Sequence, residues 1–465
     1  MILILPDTFL IDIARYLPYS SDRVHFASCC HRLKETVLQE AYRSIDIHYF
    51  CEKSLRSLVE ILVDTPDLTR KVKYISLAKS KDPPCGTHQF NSHLPQLSIN
   101  HSVSALIQTL TPSEEEYKQW TSAAVPKEEC TRLGQDLWLS MLLNCTPNIK
   151  SLEIEWGGYT DISERFLAFL SQNNGLSYLT ETSIQVPFDW ADSFQLYKIA
   201  PFFRLPSMRK FKGVLMSDMR GQDKIGFANL ITAKSSPVEH IYLAETGTYD
   251  GLEPLVAACR RLKSFTHLAR NTYYYIPRPN YKFGEFWIDD LVESLTVAKD
   301  SLEHLCIDMY YPDDHYTLGW FGSLTDYTKL RTLHLRLRDL LHIDFPEGGI
   351  GQDFPTFVTL PDMLPVSLER IYVSDFDFPH LTGLRELQNL VSAKDRFPHL
   401  RVINIEAYLK FEEICSLSCD LRRACEEASI EFNVRYYETE VEHRGKPECE
   451  SKDHWSHQFG NILEF

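Results

Sequence analysis

Cys449, with His443, His454 and His457 nearby, gathers thiol and imidazole groups of the kind that hold zinc. Their spacing contains no paired Cys-x-x-Cys framework, and a polar tail accounts for them, so no metal site is expected. Cys415 and Cys419 share one face of a helical pattern that also carries Cys425, where small buried apolar side chains explain them better than ligands do. Cys29, Cys30 and His31 lie in a helical segment and read as structural rather than nucleophilic. The sequence has no Gly-x-x-x-x-Gly-Lys phosphate loop, no Gly-x-Gly-x-x-Gly turn, no His-Glu-x-x-His helix and no Gly-x-Ser-x-Gly elbow. The expectation is a protein that is not an enzyme, with no catalytic residue, no cofactor and no metal.

Recognition is the chemistry that remains. Trp156, Tyr159, Tyr273, Tyr274, Tyr275, Tyr310, Tyr311 and Phe376 fall at predicted strand ends and on the loops that leave them. Tyr and Trp combine a large, fairly rigid surface with a polar handle, so these positions are candidates for binding a protein target. The same rings could instead cover the open ends of poorly aligned repeats. Asp308, Asp313, Asp314, Asp375 and Asp377 lean toward a basic target segment.

The elements that must position these side chains follow one recurring pattern, an apolar residue, two others, an apolar residue, one other, and an apolar residue. It occurs as Val72/Ile75/Leu77, Ile149/Leu152/Ile154, Val238/Ile241/Leu243, Leu302/Leu305/Ile307, Leu330/Leu333/Leu335, Leu368/Ile371/Val373 and Leu400/Ile403/Ile405, with weaker copies from Met208 and Leu262. The closing alternation predicts a strand with one buried face. Helical patterns intervene at 135–145, 162–172, 251–262, 288–299, 384–394 and 411–428. From Met208 to Leu400 the mean unit is about 32 residues. A strand-loop-helix unit of that size cannot bury its strand and helix alone, so neighbours must stack. The pattern resembles a divergent leucine-rich-repeat array, which implies an α/β solenoid with a parallel sheet; the Asn ladder usual in that family is missing, and a single compact α/β domain is the alternative.

Ahead of the repeats, residues 5 to 41 read as three short helices. Pro6 suits a first turn, Asp7 its positive dipole end, and Leu10, Ile13 and Leu17 form one apolar stripe before Pro18. Ser20 or Ser21 can cap a second helix with Val24 and Ala27 facing inward, and Cys30, Leu33 and Val37 stripe a third. So short a trio is expected to lack a core of its own and to need cover, from a partner or from the next domain. Leu5-Pro6-Asp7, Leu10, Ile13, Leu17-Pro18, Asp22, Val24, Ala27, Cys30 and Leu33 resemble an F-box of the fungal type, with Thr8 where that family often has Glu. The resemblance implies docking onto the adaptor subunit of SCF-type ubiquitin ligases, and through it the cullin, by Leu5, Pro6, Leu10, Ile13, Leu17, Val24 and Ala27. It further implies that the repeats carry a substrate-recognition function; a binding scaffold with no ligase role is the alternative.

The whole sequence has 465 residues, 48 Lys and Arg against 64 Asp and Glu, and a formal net charge of −16. That balance disfavours nucleic acid and anionic membrane as partners. The 12 scattered cysteines suit reduced thiols and a cytoplasmic or nuclear setting. Pro6 and Asp7 interrupt the apolar start, so no signal peptide is expected. The expected organisation is an F-box-like helical domain at 1–48, an irregular repeat array at 49–437 with insertions near 80–133 and 339–365, and a tail at 438–465.

Overall fold

A computed structural model describes residues 4–17, 20–47, 52–77, 99–111, 113–124, 132–155, 176–185, 194–195, 199–214, 216–217, 229–244, 252–270, 286–310, 317–318, 320–341, 358–374, 381–407 and 411–436. They fall in two compact units, one ending at Val238 and the other beginning at Glu239.

The first unit opens with α1 (Asp7–Tyr16), α2 (Ser20–Ser28) and α3 (His31–Ala41). Arg32 on α3 donates to the Leu5 carbonyl and to the Asp7 carboxylate, both at 2.8 Å, and so locks the chain's entry into α1. Leu10, Ala14, Ala27, Leu33 and Val37 are fully shielded between the helices, with Leu5, Phe26, Cys30 and Leu38 packed around them. The trio therefore does enclose a core, against expectation. Ala14 and Ala27 leave the helices room to approach closely, so few side chains suffice to exclude water. Arg23 then ties α2 to the strand that follows, through Asp46 at 2.9 Å.

That strand, β1 (Ser44–Ile47), runs parallel to β2 (Tyr74–Leu77), and the sheet continues through β3 (Ser151–Glu155), β4 (Glu181–Gln185) and β5 (Lys210–Val214). Its register places Ile45, Ile75, Leu152, Thr182 and Phe211 in one buried row. β4 lacks the expected apolar triplet because Thr182 takes the middle position. Between β1 and β3 lie α4 (Glu52–Asp64), α5 (Pro66–Thr69), α6 (His101–Leu110), α7 (Glu114–Ala124) and α8 (Arg132–Cys145). The stretch near 80–133, expected as an insertion with exposed loops, contains α6 and α7, which bury Val103, Ile107, Trp120 and Ala124. Asn100 and Ser113 are helix caps: the Asn100 side chain accepts from Ser102 N at 3.1 Å, and Ser113 Oγ accepts from Glu116 N at 3.2 Å.

The main sheet of the second unit carries seven parallel strands among the described residues: β6 (His240–Ala244), β7 (Ser264–Arg270), β8 (His304–Tyr310), β9 (Thr332–Arg336), β10 (Arg370–Ser374), β11 (Val402–Ala407) and β12 (Glu431–Tyr436). Ile241, Phe265, Leu305, Leu333, Ile371, Ile403 and Phe432 stand in one register row and are all buried. Each recurring triplet noted in the sequence ends in a strand of one unit or the other. A single buried face does not hold here, however, because Thr266, Cys306, His334, Tyr372 and Asn404 on the alternate positions are buried as well. Parallel strands commonly have both faces covered. No described helix is long and apolar enough to cross a membrane.

The helix before β12 (Phe411–Glu427) ends with Ser429 at φ 56, where Ile430 N donates to Cys425 O at 2.8 Å and Ser429 N to Glu426 O at 3.1 Å. This pair of hydrogen bonds closes the helix in the left-handed turn that glycine adopts without penalty. Ser429→Gly is expected to raise stability by about 0.5–1 kcal/mol, and Ser429→Val to lower it, in thermal unfolding.

His267 sits in the interior row between Leu243 and Ile307, and burial pushes its pKa down to about 4. Burial also lowers His334, opposed by Asp308. An imidazole held neutral in the fold but free to protonate when unfolded contributes stability that is intact above about pH 6.5 and lost toward pH 4. In denaturant titrations at pH 7.5 and pH 5, His267→Leu is expected to shrink the acid loss by about 2 kcal/mol; an unchanged difference would count against this origin.

Candidate interaction surfaces

The first surface is built by α1. Pro6 fixes the backbone ahead of the helix and its carbonyl accepts from Phe9 N at 3.0 Å and Leu10 N at 3.3 Å. Leu10 and Ala14, four apart, point into the trio's core. Phe9, Ile13 and Tyr16, at spacings of four and three, line a second side of the same helix. Phe9 is 59% exposed, Tyr16 89%, and Ile4 just upstream 80%, while Ile13 and Leu17 are half-buried. Apolar surface gathered in this way on a rigid helix is a feature of interaction sites.

The residues singled out from the sequence divide accordingly. Leu10 and Ala27 are fully buried and serve the core, so they offer no contact surface, which corrects their reading as docking residues. Pro6 is exposed, and Leu5, Ile13, Leu17 and Val24 are half-buried. The expected single stripe of Leu10, Ile13 and Leu17 becomes two stripes. Tyr16 was missed, and Phe9, whose surplus apolar surface called for cover, was left out of the docking set, although their spacing from Ile13 was legible.

The second surface is the sheet of the first unit. Here the alternate strand positions stay open, with Tyr74 41% exposed and Glu153 and Lys212 also exposed. Ser76 Oγ donates to Glu153 at 3.1 Å, and Lys210 pairs with Glu181 at 3.1 Å, so this face is polar and largely balanced in charge.

In the second unit the alternate positions form a closed polar row instead. Cys306 Sγ lies 3.2 Å from His334 Nδ1 on the neighbouring strand, and Asn433 donates to Asn404 at 2.9 Å. Burial, with Asp308 and Glu406, pushes the Cys306 thiol well up, while His334 is pushed down. Both groups are thus held neutral, opposite to the thiolate and imidazolium that nucleophilic chemistry requires. Arg336 and Asp339 form a buried bidentate pair at 2.6 and 2.9 Å. Asp308 is buried, and does not favour a basic target from the surface as the sequence suggested.

Trp156, Tyr159, Tyr273, Tyr274, Tyr275, Tyr311 and Phe376 lie outside the described residues, as do Asp313, Asp314, Asp375, Asp377, Cys449 and its neighbouring histidines, and most of 339–365. Tyr310 closes β8 opposite Arg270, and its side chain is likewise outside what is described.

No curated protein matches the chain significantly. A profile of the leucine-rich repeat domain family matches residues 127–413, starting downstream of the N-terminal helices and running through the strand-loop-helix units described above. Stacked parallel strands, most of them announced by the same apolar triplet, and a match over more than half the sequence agree: the chain belongs to the leucine-rich repeat domain family, whose general role is protein interaction.

Proposed function

We propose that the protein is a substrate-recognition subunit of an SCF-type ubiquitin ligase. In this reading α1 docks the adaptor subunit, and through it the cullin, while the repeats hold a protein target. The observation that carries the adaptor half is the outward stripe of Phe9, Ile13 and Tyr16, flanked by Ile4 and Pro6. The F-box-like order of Leu5, Pro6, Leu10, Ile13, Leu17, Val24 and Ala27 supports it. Leu10 and Ala27 then act as scaffold, holding the stripe rigid so that little conformational entropy is lost on docking. The chain would perform no bond chemistry. It would raise the target's effective concentration beside the transferring enzyme.

A second reading, a binding scaffold with no ligase role, draws on the closed core of the trio and on the Arg23–Asp46 tie to β1. Helices anchored in that way can simply cap the end of a sheet.

A pulldown with recombinant adaptor separates the two. Wild type is expected to retain it, and the pair Phe9→Asp with Tyr16→Asp to lose it while stability stays within about 0.5 kcal/mol, as for exposed sites. Leu10→Ala, by contrast, is expected to cost about 2–5 kcal/mol. A wild type that captures no adaptor, or a double variant that still captures it, leaves the scaffold reading standing.

A further inference from the structure

One position in each repeat, the residue just ahead of the strand, donates its backbone N–H to the same position in the preceding repeat. In the first unit Lys73 donates to Arg43, Lys150 to Lys73, Thr180 to Lys150 and Arg209 to Thr180, each at 2.8 Å. The strands are about 4.8 Å apart, so these bonds line up Arg43, Lys73, Lys150, Thr180 and Arg209 along an edge about 19 Å long. Four of the five are cations, in a protein whose net charge is −16.

The second unit shows what an internally balanced edge looks like. At the same position it carries Glu239, Lys263, Glu303, Arg331, Glu369 and Arg401, alternating in sign, with Lys263 on Glu239 at 2.6 Å and Arg331 on Glu369 at 3.9 Å. In the first unit the nearby carboxylates are already engaged. Glu40 is shared by Arg43 at 3.3 Å and Arg15 at 3.0 Å, Glu181 holds Lys210, and Asp67 faces Arg70 at 4.0 Å. Among the described residues Lys73, Lys150 and Arg209 have no carboxylate partner; Lys73 Nζ reaches the Asn148 carbonyl and Arg209 the carbonyls of Pro206 and Met208. Lys150, Arg43 and Lys71 each push the Lys73 pKa down, after burial, as expected of cations crowded without a counter-charge.

We propose that this edge docks an extended acidic segment of a protein partner, with carboxylates seated against Lys73, Lys150 and Arg209. An extended chain rises about 3.3 Å per residue, so roughly six residues span the row, and acids on alternate positions face it. A single row on a strongly acidic molecule suits such a segment better than nucleic acid, which needs a broad cationic surface to offset long-range repulsion. The proposal does not depend on adaptor docking by α1.

Fluorescence anisotropy tests it on the full chain, with a fluorescein-labelled peptide of four Glu-Ala repeats, a Gln-Ala counterpart and an eight-nucleotide thymidine strand. The Glu-Ala peptide is expected to bind at low salt and weaken about tenfold when salt is raised, as exposed charges are screened. Lys73→Glu with Lys150→Glu is expected to weaken it at least about tenfold. Lys329→Glu, an exposed change in the second unit, should leave it unaltered. If the double variant melts early, Lys150→Gln alone, at an exposed position, is expected to cost about threefold. The proposal is overturned if the Glu-Ala peptide does not bind, if the Gln-Ala peptide binds equally well, if the substitutions change nothing, or if the oligonucleotide binds as tightly. A wild-type chain that captures the adaptor but does not bind the Glu-Ala peptide would refute this edge alone.

Discussion

A parallel strand cannot satisfy its own backbone. Every N–H and C=O along its edges needs a neighbour, and in this protein the neighbour is the same stretch of the next repeat. That requirement sets the register and, with it, everything else. Once strands stack in register, a residue type at one position of the repeat becomes a row across the sheet. Apolar positions become a continuous core, as in Leu305, Leu333, Ile371 and Ile403. A polar residue placed in such a row is carried into the interior with it, which is why His267 is held neutral.

Rows also decide what the surfaces can do. In the second unit the alternate positions are shielded, and their side chains answer one another: Cys306 to His334, Asn433 to Asn404. Leaving such groups unpaired would cost about 1–3 kcal/mol each, so mutual satisfaction across strands stabilises the closed arrangement. The charged edge of that unit likewise neutralises itself by alternation. The first unit keeps its sheet face open and Lys73, Lys150 and Arg209 on its edge without carboxylates, so its capacity for recognition lies in what the fold leaves unsatisfied.

The N-terminal helices illustrate a second economy of design. One helix of ten residues presents two apolar sides, Leu10 and Ala14 inward and Phe9, Ile13 and Tyr16 outward. The inward side, closed by Ala27, Leu33 and Val37, gives the trio rigidity of its own, and Arg32 and Arg23 fix its two ends by hydrogen bonds. An outward side backed by such a core can present itself without first having to be ordered.

Local patterns were enough to establish the repeat itself, because period-two alternation after a fixed apolar lead is a property of short stretches: Leu330/Leu333/Leu335 announces its strand unaided. They also located the three N-terminal helices through Pro6, Asp7 and the serines after Pro18. They missed β4, where Thr182 stands in for an aliphatic residue, and α6 and α7, whose caps at Asn100 and Ser113 looked like loop. The side of α1 on which each apolar residue lies, the burial of Asp308 and Cys306, and the alignment of Arg43, Lys73, Lys150 and Arg209 were decided only by tertiary structure. Residues as far apart as 43 and 209 have no relation along the chain; the stacking of strands at a fixed separation makes them neighbours on one edge.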